Sequence, residues 1–175
     1  MLRRVCVLLA LAWCADTAQA ISIEAPFDSH YAFADLGEPP GNLGNLGGLS
    51  FLPGNTDAVL MGGHAAGPFG AIYSVGVVRN ADGHITGFAG TPTEIAKASG
   101  ITGGIDGGLA VGPDGVLFYT TYRDNQLGQI RPGSTAPDRL IDLGALGVRR
   151  STGSLQFVPS DMPGGGRLKL LPFNA

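Results

Sequence analysis

Hydrophobic and polar positions in this chain alternate in short runs broken by Gly, Pro, Asn and Asp, which is the period of half-buried β-strands. The first runs predict strands over residues 49–52, 58–61, 71–79 and 84–88, with Asn80-Ala81-Asp82-Gly83 turning between the last two. A second series covers 109–111, passes through Pro113-Asp114-Gly115 into 116–122, and continues at 127–131. It then turns at Pro132-Gly133-Ser134 and ends at 139–143. A third series holds only 155–158 and 167–173, and an isolated strand is expected over 31–36. Residues 93–98 alone suggest a helix, of barely two turns.

The beginning of the chain breaks this pattern. Arg3 and Arg4 precede an apolar run over residues 5–15, and Ala18-Gln19-Ala20 supplies the small-x-small pattern of a signal-peptidase site. The run is shorter than the roughly 20 residues a permanent span requires, so an export leader cleaved after Ala20 is expected. Acylation of Cys14 is disfavoured because the bulky Trp13 stands where a small residue is wanted. Both cysteines, Cys6 and Cys14, fall within the leader, so the mature part would have no thiol for disulfides or thiolate metal sites.

Composition sharpens the fold class. All 29 glycines and 12 prolines lie after residue 20, a density that penalises helix interiors and argues against bundles and coiled coils. Only 14% of residues are charged and the mean hydropathy is +0.20, which argues against disorder. Outside the leader the formal charge is −4, with no basic stripe, so nucleic acid is not an expected partner. With no second apolar segment of membrane length, the mature chain is expected to be soluble, either secreted or periplasmic.

One heptapeptide recurs three times. It reads Gly47-Gly48-Leu49-Ser50-Phe51-Leu52-Pro53, then Gly107-Gly108-Leu109-Ala110-Val111-Gly112-Pro113, then Gly153-Ser154-Leu155-Gln156-Phe157-Val158-Pro159. The spacings are 60 and 46 residues, and Asp35-Leu36-Gly37 and Asp142-Leu143-Gly144 precede the first and third copies. Periods of this size in a strand-rich chain point to an array of small sheets. The Leu and Phe/Val positions would face one side of a strand that Pro ends, and the glycines would allow close backbone approach.

The stretch from Asp106 to Phe118, with its strand, Pro-Asp-Gly turn and strand, resembles the inner hairpins of exported six-bladed β-propellers of the NHL or gluconolactonase-like kind. Gly128-Gln129-Ile130 followed by Pro132-Gly133 is similar to the next strand and its turn. The resemblance spans roughly residues 30–175 and implies an all-β fold of propeller-type repeats of four-stranded antiparallel sheets. The units lie near 47–90, 107–144 and 153–175, about two and a half blades, which reads as the amino-terminal part of a longer propeller. A self-sufficient β domain of another type is the competing architecture. Unpaired strand edges would favour self-association.

Propeller geometry, as the resemblance implies it, puts Asn45, His64, Asp106, Arg123, Asp124 and Asn125 on one face. It puts Asp57, Asp82 and Asp114 on the other, as turn residues. His64, Arg123, Asp124 and Asn125 are the candidate ligand-binding group. In calcium-dependent propeller hydrolases acidic and amide side chains near the axis hold one ion, and Asn45 and Asp106, beside repeat glycines, are the matching metal candidates. The third unit offers Ser151 and Thr152 there instead. Turn and capping duties are the plain alternative for all of these. His30, His64 and His84 lack zinc-ligand spacing, no G-x-S-x-G elbow occurs, and Gly41 to Gly48 lacks the Lys-Ser/Thr of a phosphate loop. No catalytic residue is assigned. The leading expectation is a secreted, non-catalytic binding or scaffold module. The alternatives are an extracellular calcium-dependent hydrolase or lyase and a non-functional remnant of a longer gene.

Overall fold

The computed structural model describes residues 22–150 and 152–173. The leader expected over residues 1–20 and the serine at position 151 lie outside them. The chain divides into two compact units, Met1–Asp35 and Leu36–Ala175. In the first, the described residues hold one short 3-10 turn, Phe27–Ser29. The Ser29 hydroxyl donates to the Pro26 carbonyl (3.0 Å), and the Phe27 and Tyr31 rings lie 6.4 Å apart. Residues 31–36 form no strand, contrary to expectation. Alternation supplies the side-chain spacing of a strand, but a strand also needs a neighbouring ladder in register.

The second unit is all-β. Its first sheet is an antiparallel meander of β1 (Leu49–Phe51), β2 (Ala58–Gly63), β3 (Ala71–Arg79) and β4 (Ile85–Lys97), in that order. The second repeats the arrangement with β5 (Ile105–Val111), β6 (Leu117–Thr121), β7 (Gln126–Ile130) and β8 (Arg139–Asp142). The third pairs β9 (Thr152–Phe157) with β10 (Leu168–Pro172). Among the described residues the sheets have four, four and two strands, and none is closed. Among the described residues no helix is long and apolar enough to cross a membrane.

The hairpin turns form where the sequence places them. Asn80 Oδ1 accepts from the N–H groups of Asp82 (3.1 Å) and His84 (2.9 Å), so one amide side chain organises the β3–β4 turn. Residues 93–98, expected as a helix, instead lie in β4 and just beyond it. Tyr73 faces Glu94 and Ile72 faces Ala96 across the β3–β4 ladder. Main-chain pairing along a 13-residue strand outweighs the weak helical preference of Glu94-Ile95-Ala96-Lys97.

Each heptapeptide contributes to the first strand of a sheet. Leu49 faces Met61, Leu109 faces Tyr119 and Leu155 faces Leu170, so the three leucines hold equivalent register positions. The first strands crowd one another. Gly48 N–H donates to the Asp106 carbonyl (2.7 Å). A Cβ on Gly107 would run into the carbonyl of Gly153, so this position requires glycine.

Two cores hold the sheets together. Leu60, Ile72 and Ala96 of the first sheet pack on Leu109, Leu117, Tyr119 and Ile130 of the second. Ala110, Leu127 and Leu143 pack with Leu155, beside an edge-on contact of Phe118 and Phe157 at 5.2 Å. The opposite face of the first sheet carries Val59, Met61, Val75, Val77 and Phe88. Leu109 is 4% exposed and Leu155 3%, whereas Leu49 on that last face is 52% exposed. The heptapeptide thus predicts leucine position but not, in its first copy, leucine burial.

Candidate functional site

The β2–β3, β4–β5 and β6–β7 connections meet at one end of the sheets. Ala98 N–H donates to the Gly70 carbonyl (2.8 Å), and the loop at 101–103 is bonded to Asp124 in the β6–β7 connection. This end carries the residues singled out from sequence. Asp57, Asp82 and Asp114 belong to the β1–β2, β3–β4 and β5–β6 turns.

Main-chain bonds bring Asn45, His64 and Asp106 into one neighbourhood. His64 N–H donates to the Leu43 carbonyl (2.7 Å) and Ala65 N–H to that of Asn45 (2.9 Å). Ala66 N–H reaches Ile105 (2.9 Å), and the Asp106 carbonyl takes the Gly48 N–H. His64 and Ala66 both adopt left-handed backbone angles, φ 49° and 60°, which cost energy in non-glycine residues. The His64 imidazole stands edge-on to the Tyr73 ring at 6.3 Å. The Tyr73 hydroxyl donates to Glu94 (3.4 Å), and Glu94 pairs with Lys97 (2.7 Å). Asn45 is exposed and Asp106 half-buried. Their side chains supply at most three oxygen ligands, whereas calcium takes six to eight, so carbonyls and water would have to provide the rest. Among the described residues no three His, Cys, Asp or Glu side chains gather as a metal cluster.

Arg123, Asp124 and Asn125 form a second group, and two of the three serve the fold. The Asp124 carboxylate accepts from Thr102 N–H (2.9 Å), Thr102 Oγ1 (2.5 Å) and Gly103 N–H (2.9 Å), clamping the β4–β5 loop onto the second sheet. Partial burial pushes its pKa up, but these bonds and one from the Ile101 N–H outweigh that and hold it below the ordinary aspartate value. Asn125, at φ 50°, is buried. Its Nδ2 donates to the Val148 carbonyl (2.9 Å) and its own carbonyl accepts from Leu143 N–H (2.9 Å). Arg123 is exposed beside Gly103.

Sequence reasoning passed over the buried polar layer behind this end. Tyr119 is fully buried, and its hydroxyl donates to the Ser99 carbonyl (2.6 Å), fixing the first sheet's exit loop to the second sheet. Burial pushes its phenol far above the usual range. Thr120 Oγ1 accepts from Gly108 N–H (3.1 Å), and Thr121 Oγ1 from Gln126 N–H (3.2 Å). The one sequence signal for this layer is the polar run Tyr119 to Gln126 inside a strand pair whose first half is apolar. No protein-family model, no curated protein and no solved structure matches the chain.

Proposed function

We propose that the chain is an exported, non-catalytic binding or scaffold module, in which the three sheets are blades of a propeller-type array and an open blade face takes another β-sheet. The observation that supports this reading is the environment of one repeated leucine. Leu109 and Leu155 are each buried by the preceding sheet, through Leu60, Ile72 and Ala96 in one case and Ala110, Leu127 and Leu143 in the other. Leu49, at the same register position, has no preceding sheet among the described residues. It lines an apolar groove of about 180 Å³ with Phe51, Val59, Met61, Ile85 and Phe88. Its occupant in this reading is a sheet surface of small and aliphatic residues like those that cover the other two leucines.

Light scattering with thermal melting on the exported chain tests it. Self-association that weakens in Phe51→Asp is expected, because a buried unpaired carboxylate opposes docking. A monodisperse monomer with a sharp, reversible transition above about 60 °C, high for a mesophile domain, would overturn the reading.

A further inference from the structure

The geometry points to a ligand site elsewhere, in a cleft of about 510 Å³ between the first and second sheets at their turn end, fitted to a small amphipathic monocarboxylate. The cleft forms where the shared core opens. Its lining includes deeply buried groups, Ile130 at 1% exposure, Ala96 at 2% and Leu117 at 8%, joined by the partly buried Leu52 and Ile95. These residues are aliphatic and belong to both sheets. The volume lies within the usual range for small-molecule pockets, roughly 300–1,000 Å³.

The β7–β8 turn forms one wall and sets the polarity of the mouth. Lys97 N–H donates to the Thr135 carbonyl (2.9 Å), tying this turn to the end of β4 across the gap between sheets. Within the turn, Arg131 N–H (2.7 Å) and Ser134 Oγ (3.1 Å) both donate to Asp138. The Asp138 carboxylate is therefore engaged by the turn itself; the Arg131 N–H chiefly holds its pKa below the usual value, and the Ser134 hydroxyl and the Arg131 charge nearby lower it further. Arg131 lines the cleft, and among the described residues its guanidinium makes no ion pair within 4 Å.

One cation beside an aliphatic cavity selects a ligand with one negative charge and an apolar body. A guanidinium matches a carboxylate with two parallel hydrogen bonds, and the body would lie on Ile95, Leu117 and Ile130. A phosphate monoester, with more charge, would call for further donors. The site is independent of whatever covers the Leu49 face, which belongs to the other side of the first sheet.

Calorimetric titration of the exported chain with octanoate, and with 1-octanol as the uncharged counterpart, tests the assignment. Saturable octanoate binding at one site is expected. Arg131→Gln should weaken octanoate at least tenfold and change octanol less than threefold. Ile95→Trp should abolish both by filling the cavity, and Thr135→Trp, at the exposed rim, replaces it if melting shows that Ile95→Trp does not fold. Phe51→Asp should leave both affinities unchanged. Absence of saturable binding, octanoate affinity indifferent to Arg131→Gln, or loss of binding in Phe51→Asp would each overturn the proposal.

Discussion

Leu49 and Leu109 occupy the same register position in successive sheets, so truncating each to alanine compares one side chain in two environments. Leu109 is 4% exposed and packs among Leu60, Ile72 and Tyr119. Its loss leaves a cavity that strands on both sides cannot collapse into, which costs about 3 kcal/mol within the usual range of roughly 2–5. Leu49 is 52% exposed. About half of the roughly 2 kcal/mol that full burial of a leucine contributes is at stake there, so about 1 kcal/mol is expected. Urea unfolding followed by far-ultraviolet circular dichroism reads both. With a slope of about 2 kcal/mol/M, Leu109→Ala should lower the midpoint by about 1.5 M and Leu49→Ala by about 0.5 M. The titrations are repeated across a hundredfold range of protein concentration. A Leu49→Ala cost that grows with concentration would mean that association covers the face. Equal shifts for the two variants at every concentration would refute the packing argument, because Leu49 would then be buried within a single chain.

Gly107→Ala should destabilise by about 2 kcal/mol or more, since the new Cβ meets the Gly153 carbonyl and main chain yields less readily than a side chain; the same urea assay reads it, and Gly133→Ala is no control because Gly133 has φ 86°. Tyr119→Phe should cost about 1 kcal/mol by removing the hydrogen bond to Ser99, and faster hydrogen exchange in the β4–β5 loop should accompany it. Asp124 has a folded-state pKa below its unfolded value, so its contribution is fully present above about pH 4 and lost as pH falls through the folded value. Asp124→Asn should therefore flatten the fall in urea midpoint between pH 6 and pH 3, leaving the part owed to Asp138, whose pKa is also lowered. An unchanged acid limb would rule out the loop clamp as a source of pH-dependent stability.

Local chemistry made much of the strand content legible. β3 spans the residues its alternation predicts, and the turns at Asn80 to Gly83 and Pro113 to Gly115 follow from residue types that bend the chain by themselves. The heptapeptide also carried information beyond one strand. Gly47, Gly48 and Gly107 are demanded by contacts between first strands, and its leucines mark equivalent positions in three sheets. Grouping the connections by the end of the sheet they occupy anticipated that the β2–β3, β4–β5 and β6–β7 connections share one end, because an antiparallel meander alternates its connections between two ends.

What the sequence could not carry was anything that depends on which surface meets which. Residues 93–98 became strand because β3 lay beside them in register, and residues 31–36 had the alternation of a strand without forming one. The same leucine is buried twice and exposed once, a difference made entirely by the neighbouring sheet. Asp124 and Asn125 read as a polar turn with ligand binding as one candidate role, and nothing in the sequence indicated that Thr102, Gly103 and Val148, 21–23 residues away in the chain, engage their side chains. The cleft at Arg131 has no sequence signature either, since its walls come from Leu52 just past β1, from β4, β6 and β7, and from the β5–β6 and β7–β8 turns. Strand formation responds to side-chain spacing and turn chemistry over a few residues, while burial, hydrogen-bond partners and cavities are set by distances through space that only the packed sheets define.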